Sequence, residues 1–226
     1  MHPKRVVIIA NGDLEDLDFY QRLIKADDFI VCVDGGSGHA LDLGLKPDLV
    51  IGDLDSLRAD DQVKIKQLKP QLIKHPAAKD KSDLELAIDK AVEMQPDQIL
   101  IIGALGGARA DHAFVNLLLL HFPLSHDIPA CIVDRRQEIR LVKSEVVIEG
   151  STGDYLSLFS LVAESSGIFT EGLKYPLRGG SLYFASTLGL SNELAESRAK
   201  ITITSGLLLV IRTRVIGGFD VQGIDQ

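Results

Sequence analysis

The chain has little cysteine and no long hydrophobic run. Its two cysteines, Cys32 and Cys131, both lie inside short apolar segments, where a cysteine is most often a small buried hydrophobe. Two such residues give neither a disulfide framework nor a metal site. The longest apolar stretch, 114–120, is interrupted by Asn116 and is far too short to span a bilayer. The sequence therefore predicts a protein without a membrane partner.

Positive charge is also scarce relative to negative charge. The 226 residues include 24 lysines and arginines against 32 aspartates and glutamates, which gives a net charge of −8. This balance argues against a nucleic-acid partner, because binding to a phosphate backbone needs a basic face. It is compatible with a cationic small substrate or with phosphates bridged by a metal. Lys4 and Arg5 are followed by only a short apolar run, which is not a signal-peptide pattern, so we expect a cytoplasmic protein.

The first 133 residues alternate between short apolar runs and helical patterns. This alternation is typical of a βαβ layout with a largely parallel sheet. We predict strands at 6–10, 29–33, 49–51, 71–74, 98–102 and 130–133. We predict helices near 14–25, 38–43, 59–68, 82–94 and 110–120. Ser82 is expected to cap the fourth of these helices, with Glu85 three residues later closing a capping box.

After Asp134 the apolar segments become short, often alternate with polar residues, and are separated by Gly, Ser, Thr or Asn. We predict strands at 138–142, 145–149, 155–161, 182–185, 200–204 and 207–212. This pattern indicates an antiparallel β domain of roughly 90 residues, either a sandwich or an open barrel. The fold class is therefore α/β with a parallel-sheet domain first and an antiparallel β domain second.

Two carboxylates follow the third predicted strand. Asp53 and Asp55 come after the buried run 49–51, and Gly52 lets the backbone turn sharply there. Open α/β sheets bind their ligands at the carboxyl ends of their strands. Neighbouring carboxylates repel each other unless a cation lies between them, and Mg²⁺ prefers oxygen ligands. We interpret the pair as a metal site, and the alternative is a turn with solvated aspartates.

Glycine-rich turns follow two other predicted strands, at 29–33 and 98–102. A glycine-rich turn that leads into a helix exposes backbone N–H groups that can bind phosphate, although neither turn has the full spacing of a dinucleotide fingerprint. We predict nucleotide contacts at Asp34, Gly35, Gly36, Gly106 and Gly107.

The loop 79–83 precedes the helix predicted at 82–94. In the functional interpretation, Asp83 completes the metal site with Asp53 and Asp55, while Lys79 faces a phosphate. The alternative is that the carboxylates of this loop only cap the helix, because a helix N-terminus favours negative charge.

The loop 103–112 carries Arg109 and Asp111 together at the start of a helix. The planar fork of an arginine matches phosphate oxygens, so Arg109 is suited to clamp a transferring phosphoryl group. Asp111 could accept a proton from an attacking hydroxyl or orient that hydroxyl. The alternative is a structural ion pair between the two side chains.

Taken together, these motifs resemble the thiamine pyrophosphokinase family. The similarity rests on motifs that occur in the family's order: G-D-L-D-S (52–56), K-D-K-S-D (79–83), G-G-A-R-A-D-H (106–112) with Asn116 four residues on, E-G-L-K-Y-P-L (171–177) and S-N-E (191–193). Two departures are Ser37-Gly38, where the family more usually has Ala-Asn, and Ser82, where it more usually has Thr.

The resemblance implies transfer of a pyrophosphoryl group from ATP to the hydroxyl of thiamine, giving thiamine diphosphate and AMP, with Mg²⁺ and within a homodimer. It implies a Rossmann-like ATP-binding catalytic domain at 1–136 and a β-sandwich domain for thiamine binding and dimerisation at 137–226. By position, Ser191 and Asn192 match the thiamine-side motif. Two other hypotheses are an aspartyl-phosphate phosphatase that uses Asp53 as nucleophile, and a non-catalytic nucleotide-binding protein.

Overall fold

The structure is a computed structural model that describes residues 3–52, 57–74, 80–105 and 109–215. The chain divides into two compact units, residues 1–135 and residues 136–226. Within the described ranges, no helix is long and apolar enough to cross a membrane.

The described part of the N-terminal unit contains a parallel sheet of six strands. These are β1 (Arg5–Ile9), β2 (Phe29–Val33), β3 (Leu49–Ile51), β4 (Gln71–Ile73), β5 (Gln98–Ile102) and β6 (Ala130–Val133). The spatial order is β6-β5-β1-β2-β3-β4, so the chain winds outward from β1 in both directions. The apolar runs of β1, β2, β3 and β5 are buried along almost their whole length, as strands covered on both faces require.

Six helices connect these strands in the described ranges. They are α1 (Leu17–Leu23), α2 (Gly36–Asp42), α3 (Ala59–Leu68), α4 (Asp83–Glu93), α5 (Ala110–Leu119) and α6 (His121–Ser125). The predicted cap of α4 is confirmed, since the Ser82 hydroxyl accepts a hydrogen bond of 3.2 Å from the Glu85 N–H. α1 is shorter than predicted because Asp16 caps it, accepting a hydrogen bond from the Phe19 N–H. α6 was not predicted.

The C-terminal unit consists of two antiparallel sheets in its described residues. Its strands are β7 (Gln137–Val142), β8 (Glu145–Glu149), β9 (Tyr155–Ser160), β10 (Glu164–Glu171), β11 (Arg178–Tyr183), β12 (Asn192–Glu193), β13 (Arg198–Thr202) and β14 (Leu208–Thr213). One sheet has the order β12-β9-β14-β7 and the other β11-β10-β13-β8. Leu156 and Val210 of the first sheet share one buried core with Ile168 and Ile201 of the second. The unit is therefore a β-sandwich, and the predicted fold class is confirmed.

The sequence did not predict β10, and the strand it placed at 182–185 belongs to β11, which ends at Tyr183. β10 carries two shifts of register against β11, and Gly167 within it has a φ of +65°. Such irregularities break the strict alternation of apolar and polar residues from which a strand is recognised.

Candidate active site

A cavity of about 710 Å³ opens at the carboxyl ends of β1, β2 and β5, beside the first residues of α4 and α5. The strand order turns back on itself between β1 and β5, and ligands of open α/β sheets bind in the crevice at such a point. The polar residues that line this cavity are Asn11, Asp34, Lys81, Ser82, Asp83, Arg109, Asp111, His112 and Asn116. Loops that are far apart in the sequence therefore meet at one edge of the sheet.

Four of the predicted site residues come together in this cavity: Asp34, Asp83, Arg109 and Asp111. Asp83 is the first residue of α4, and the helix N-terminus favours its negative charge. Ser82 fixes that end of the helix through its cap, so the backbone that carries Asp83 is held in place.

Arg109 and Asp111 form a two-bond ion pair at the rim of the cavity. The Arg109 Nε donates to Asp111 Oδ1 at 2.9 Å, and Arg109 Nη2 donates to Asp111 Oδ2 at 2.5 Å. The guanidinium, together with the backbone N–H of His112, holds the pKa of Asp111 well below its usual range. The side chains are 67% and 64% exposed, so the pair contributes little to fold stability and can open for a ligand.

Gly35 and Gly36, in the glycine-rich turn after β2, allow neighbouring segments to pack against each other. A Cβ at Gly35 would collide with the side-chain amide of Asn11, and a Cβ at Gly36 would collide with the carbonyl oxygen of Ile9. These two glycines therefore let the start of α2 pack closely against the end of β1. Their predicted contacts with a nucleotide stay a prediction.

Asp34 has a φ of +43°, and its carboxylate lies against Gly52. Gly52 itself has a φ of +125°, and a Cβ there would collide with Asp34 Oδ1. Only glycine fits this backbone and this contact. In the sequence, Gly52 directly precedes Asp53, the first residue of the predicted metal-binding pair.

Three residues without a predicted role also line the cavity: Asn11, Gly12 and Asn116. The Gly12 N–H donates to the Gly103 carbonyl at 2.8 Å, which joins the loop after β1 to the loop after β5. Asn116 Nδ2 donates to the Ala104 carbonyl at 2.8 Å and so ties α5 to the same loop. The signal for the first two was their position, since Asn11 and Gly12 follow β1 within three residues, at the same sheet edge as the other motifs.

Five predicted site residues lie outside the described residues: Asp53, Asp55, Lys79, Gly106 and Gly107. Among the residues that are described, no group of three or more His, Cys, Asp or Glu side chains is arranged to hold a metal ion. The predicted magnesium site therefore stays a prediction, since two of its three ligands are not described. The described acidic side chains of the cavity, Asp34, Asp83 and Asp111, offer only oxygen donors, which suit a hard cation.

Ser191 and Asn192 lie in the C-terminal unit, beside the segment 171–177. Asn192 Oδ1 accepts from the Tyr175 N–H at 3.1 Å, and Asn192 Nδ2 donates to the Tyr175 carbonyl at 2.7 Å. Lys174 and Glu193 add an ion pair of 3.0 Å. The S-N-E and E-G-L-K-Y-P-L motifs, separated in the sequence, thus form one structural element. Its aromatic residue, Tyr175, is 63% exposed.

Both units match models of one protein family. Residues 20–132 match "Thiamin pyrophosphokinase, catalytic domain", and residues 136–208 match "Thiamin pyrophosphokinase, vitamin B1 binding domain". The chain belongs to the thiamin pyrophosphokinase family. The resemblance drawn from the sequence motifs is therefore confirmed.

Individual members of the family resemble the chain over nearly its whole length. It is 36% identical over 212 residues to thiamine pyrophosphokinase of Bacillus subtilis (strain 168), covering 93% of this chain and 99% of that protein. It is 26% identical to thiamine pyrophosphokinase 2 of Oryza sativa subsp. japonica, covering 93% of this chain and 87% of that one.

Crystal structures of relatives share the fold. The thiamine pyrophosphokinase of Bacillus subtilis superposes with a TM-score of 0.85 at 31% identity, covering 94% of this chain and 100% of that one. The thiamin pyrophosphokinase of Geobacillus thermodenitrificans gives a TM-score of 0.81 at 35% identity, covering 94% and 99% of the two chains.

Proposed function

We propose that this protein transfers the pyrophosphoryl group of ATP to the hydroxyl of thiamine, giving thiamine diphosphate and AMP in a Mg²⁺-dependent reaction. The observation that carries the proposal is the exposed Arg109–Asp111 pair on a cavity at the ligand-binding edge of the sheet, in a chain of the thiamin pyrophosphokinase family. Attack at the β-phosphorus requires charge neutralisation and an acceptor oxygen held in line, with little covalent work from the protein.

Arg109 binds the phosphoryl group that is transferred. Its fork of N–H donors already makes a bidentate contact with a carboxylate, and phosphate oxygens offer the same geometry. Because the guanidinium is largely exposed at the cavity rim, exchange of its carboxylate partner for a phosphate needs no change in the core.

Asp111 orients the hydroxyl of thiamine and accepts its proton. While Arg109 is bound to it, the lowered pKa makes the Asp111 carboxylate a poor proton acceptor. Movement of the guanidinium to the phosphate removes that stabilisation of the charged form, and the pKa of Asp111 rises. The same exchange of partners thus binds the phosphate to Arg109 and makes the Asp111 carboxylate a better proton acceptor.

Mg²⁺ is assigned to Asp53, Asp55 and Asp83, and when bound it neutralises charge on the triphosphate. Support comes from the oxygen-only donors of the described cavity and from the Asp34 carboxylate, which lies against Gly52, the residue before Asp53 in the sequence. Lys79 is assigned to a phosphate. The glycine-rich turns are assigned to the nucleotide: Asp34, Gly35, Gly36, Gly106 and Gly107.

We assign ATP binding and catalysis to residues 1–136, and thiamine binding and dimerisation to residues 137–226. For thiamine, the support is the element built from Asn192 and Tyr175, whose exposed ring could stack on a flat substrate. For a homodimer, the support is a run of exposed large apolar side chains within 183–190, which a water-facing surface would disfavour. They are Tyr183, Phe184, Leu188 and Leu190.

A turnover assay tests the proposed function. Purified protein is incubated with ATP, thiamine and Mg²⁺, and the products are separated by chromatography with mass detection. Equal amounts of AMP and thiamine diphosphate are expected. Release of ADP with thiamine monophosphate, or no thiamine-dependent use of ATP, would contradict the proposal.

A further inference from the structure

Lys81 lines the catalytic cavity and has no role in the function proposed above. It stands directly before Ser82, the cap of α4. A second cavity of about 360 Å³ is lined by Lys81 as well, together with Asp89 and Phe122. Lys81 is therefore a wall residue common to both cavities.

The ammonium group of Lys81 is held on the side of the smaller cavity. Lys81 Nζ lies 2.5 Å from Asp89 Oδ2 and 3.6 Å from Glu85 Oε1. It also lies 5.9 Å from the centre of the Phe122 ring. Because Asp89 is two helical turns into α4, the lysine side chain runs along the helix and away from the capped end.

This ion pair is open to water on the side of the lysine. The Lys81 side chain is 45% exposed and that of Asp89 23% exposed, so the pair contributes less to stability than a fully buried pair would. Asp89 Oδ1 is buried, and the described residues give it no hydrogen-bond partner. The carboxylate is thus only half satisfied by the contact, and the flexible four-carbon stem of lysine allows other positions.

The charges of the larger cavity favour a second position for this lysine. Among the described residues that line it, the carboxylates are Asp34, Asp83 and Asp111, and the permanent cations are Arg109 and Lys81. Each cation that reaches the phosphates of a nucleoside triphosphate between these carboxylates would stabilise its binding. Lys81 already lies in the wall of the cavity.

We propose that Lys81 is a phosphate-binding residue of the nucleotide site and that Asp89 is its competing partner in the ligand-free protein. The inference rests on the proposed function only for the identity of the nucleotide. If the ion pair were only structural, changing either residue would have the same effect, whereas a phosphate-binding Lys81 predicts opposite effects. Removing Lys81 weakens phosphate binding, whereas removing the charge of Asp89 releases Lys81 and strengthens it.

The test measures binding of ATP and of inorganic tripolyphosphate by isothermal titration calorimetry, with Mg²⁺ and without thiamine. Lys81→Met is expected to raise both dissociation constants about tenfold, the usual effect of losing one charge-assisted hydrogen bond. Asp89→Asn is expected to lower them severalfold. Lys81→Arg should retain most of the affinity, because it keeps the charge.

Two further variants serve as a control for net charge and as a test of coupling between Lys81 and Asp89. Lys90→Met removes a lysine of the same helix from a similar ion pair, Lys90 Nζ to Glu93 Oε2 at 2.7 Å, and should leave both constants unchanged. The double variant Lys81→Met/Asp89→Asn should bind like Lys81→Met alone, because Asp89 acts only through Lys81.

The inference is overturned if Asp89→Asn weakens binding as Lys81→Met does, since breaking the ion pair from either side would then have one structural effect. It is also overturned if Lys90→Met weakens binding as much as Lys81→Met, since only net charge would then matter. Melting temperatures of all variants separate either result from misfolding. If the turnover assay fails, the tripolyphosphate constants still decide the role of Lys81.

Discussion

Arg109 and Asp111 bind each other through two parallel hydrogen bonds, 2.9 and 2.5 Å long, at the first turn of α5. Both side chains are exposed, and both line the cavity at the ligand-binding edge of the sheet. An exposed bidentate pair at such a place stabilises the fold little. Its guanidinium can instead bind a phosphate with the same geometry.

Arg109→Lys is expected to lower kcat by about 10²-fold, because lysine cannot reproduce the fork that holds the transferring group. ATP binding should change little because lysine keeps the positive charge, and the melting temperature should change little because the side chain is exposed. Steady-state kinetics and thermal unfolding of the same preparation check this. A lower melting temperature with unchanged kcat would favour the purely structural ion pair.

The pKa of the Asp111 carboxyl, measured by carbon NMR, is expected to lie below the ordinary aspartate value and to rise in Arg109→Ala. Because the pKa is lowered in the folded state, any stability from the pair is present above the ordinary aspartate pKa. It is lost as the pH falls through the lower folded-state value. Saturating ATP should raise this pKa in the wild-type protein. No response to ATP would contradict the exchange of partners.

Asp53→Asn and Asp55→Asn are each expected to abolish nearly all turnover without lowering the melting temperature of the ligand-free protein, since each removes one charge from the metal ligands. Asp60→Asn, which changes an exposed carboxylate in the first turn of α3, serves as the control and should keep full activity. Full activity of either site variant at saturating Mg²⁺ would contradict the assignment of these aspartates as metal ligands.

Ser82→Ala is expected to destabilise the fold by about 1 kcal/mol, the usual effect of losing an N-cap hydrogen bond. Ser82→Thr should retain most of that stability, because it keeps the hydroxyl. Chemical unfolding of the two variants measures the difference. Equal stability of Ser82→Ala and the wild type would show that this cap does not hold the start of α4.

The sequence was sufficient for those parts of the fold and site that depend on local pattern. Buried strands such as β2 and β5 are uninterrupted apolar runs, and Ser82 with Glu85 is a local capping signal. β10 was missed because its register shifts break the alternation. The contact of the Asp34 carboxylate with Gly52 could not be predicted, because it depends on how the ends of two neighbouring strands pack.

The same limit applied to the partners of charged and polar side chains. The sequence places Lys81 in a motif, but only the path of its side chain along α4 brings the ammonium to Asp89. Likewise, Asn192 was predicted to bind substrate, and only the structure shows that its amide is bonded to the backbone of Tyr175.

Tracing labelled phosphorus through the reaction tests the central claim most directly. ATP labelled at the β-phosphorus is supplied with thiamine and Mg²⁺, and the labelled products are separated. Transfer of a pyrophosphoryl group through attack at that phosphorus predicts that all consumed label appears in thiamine diphosphate and none in AMP. Label that remains in a released nucleoside diphosphate, with thiamine monophosphate as the other product, would contradict the account.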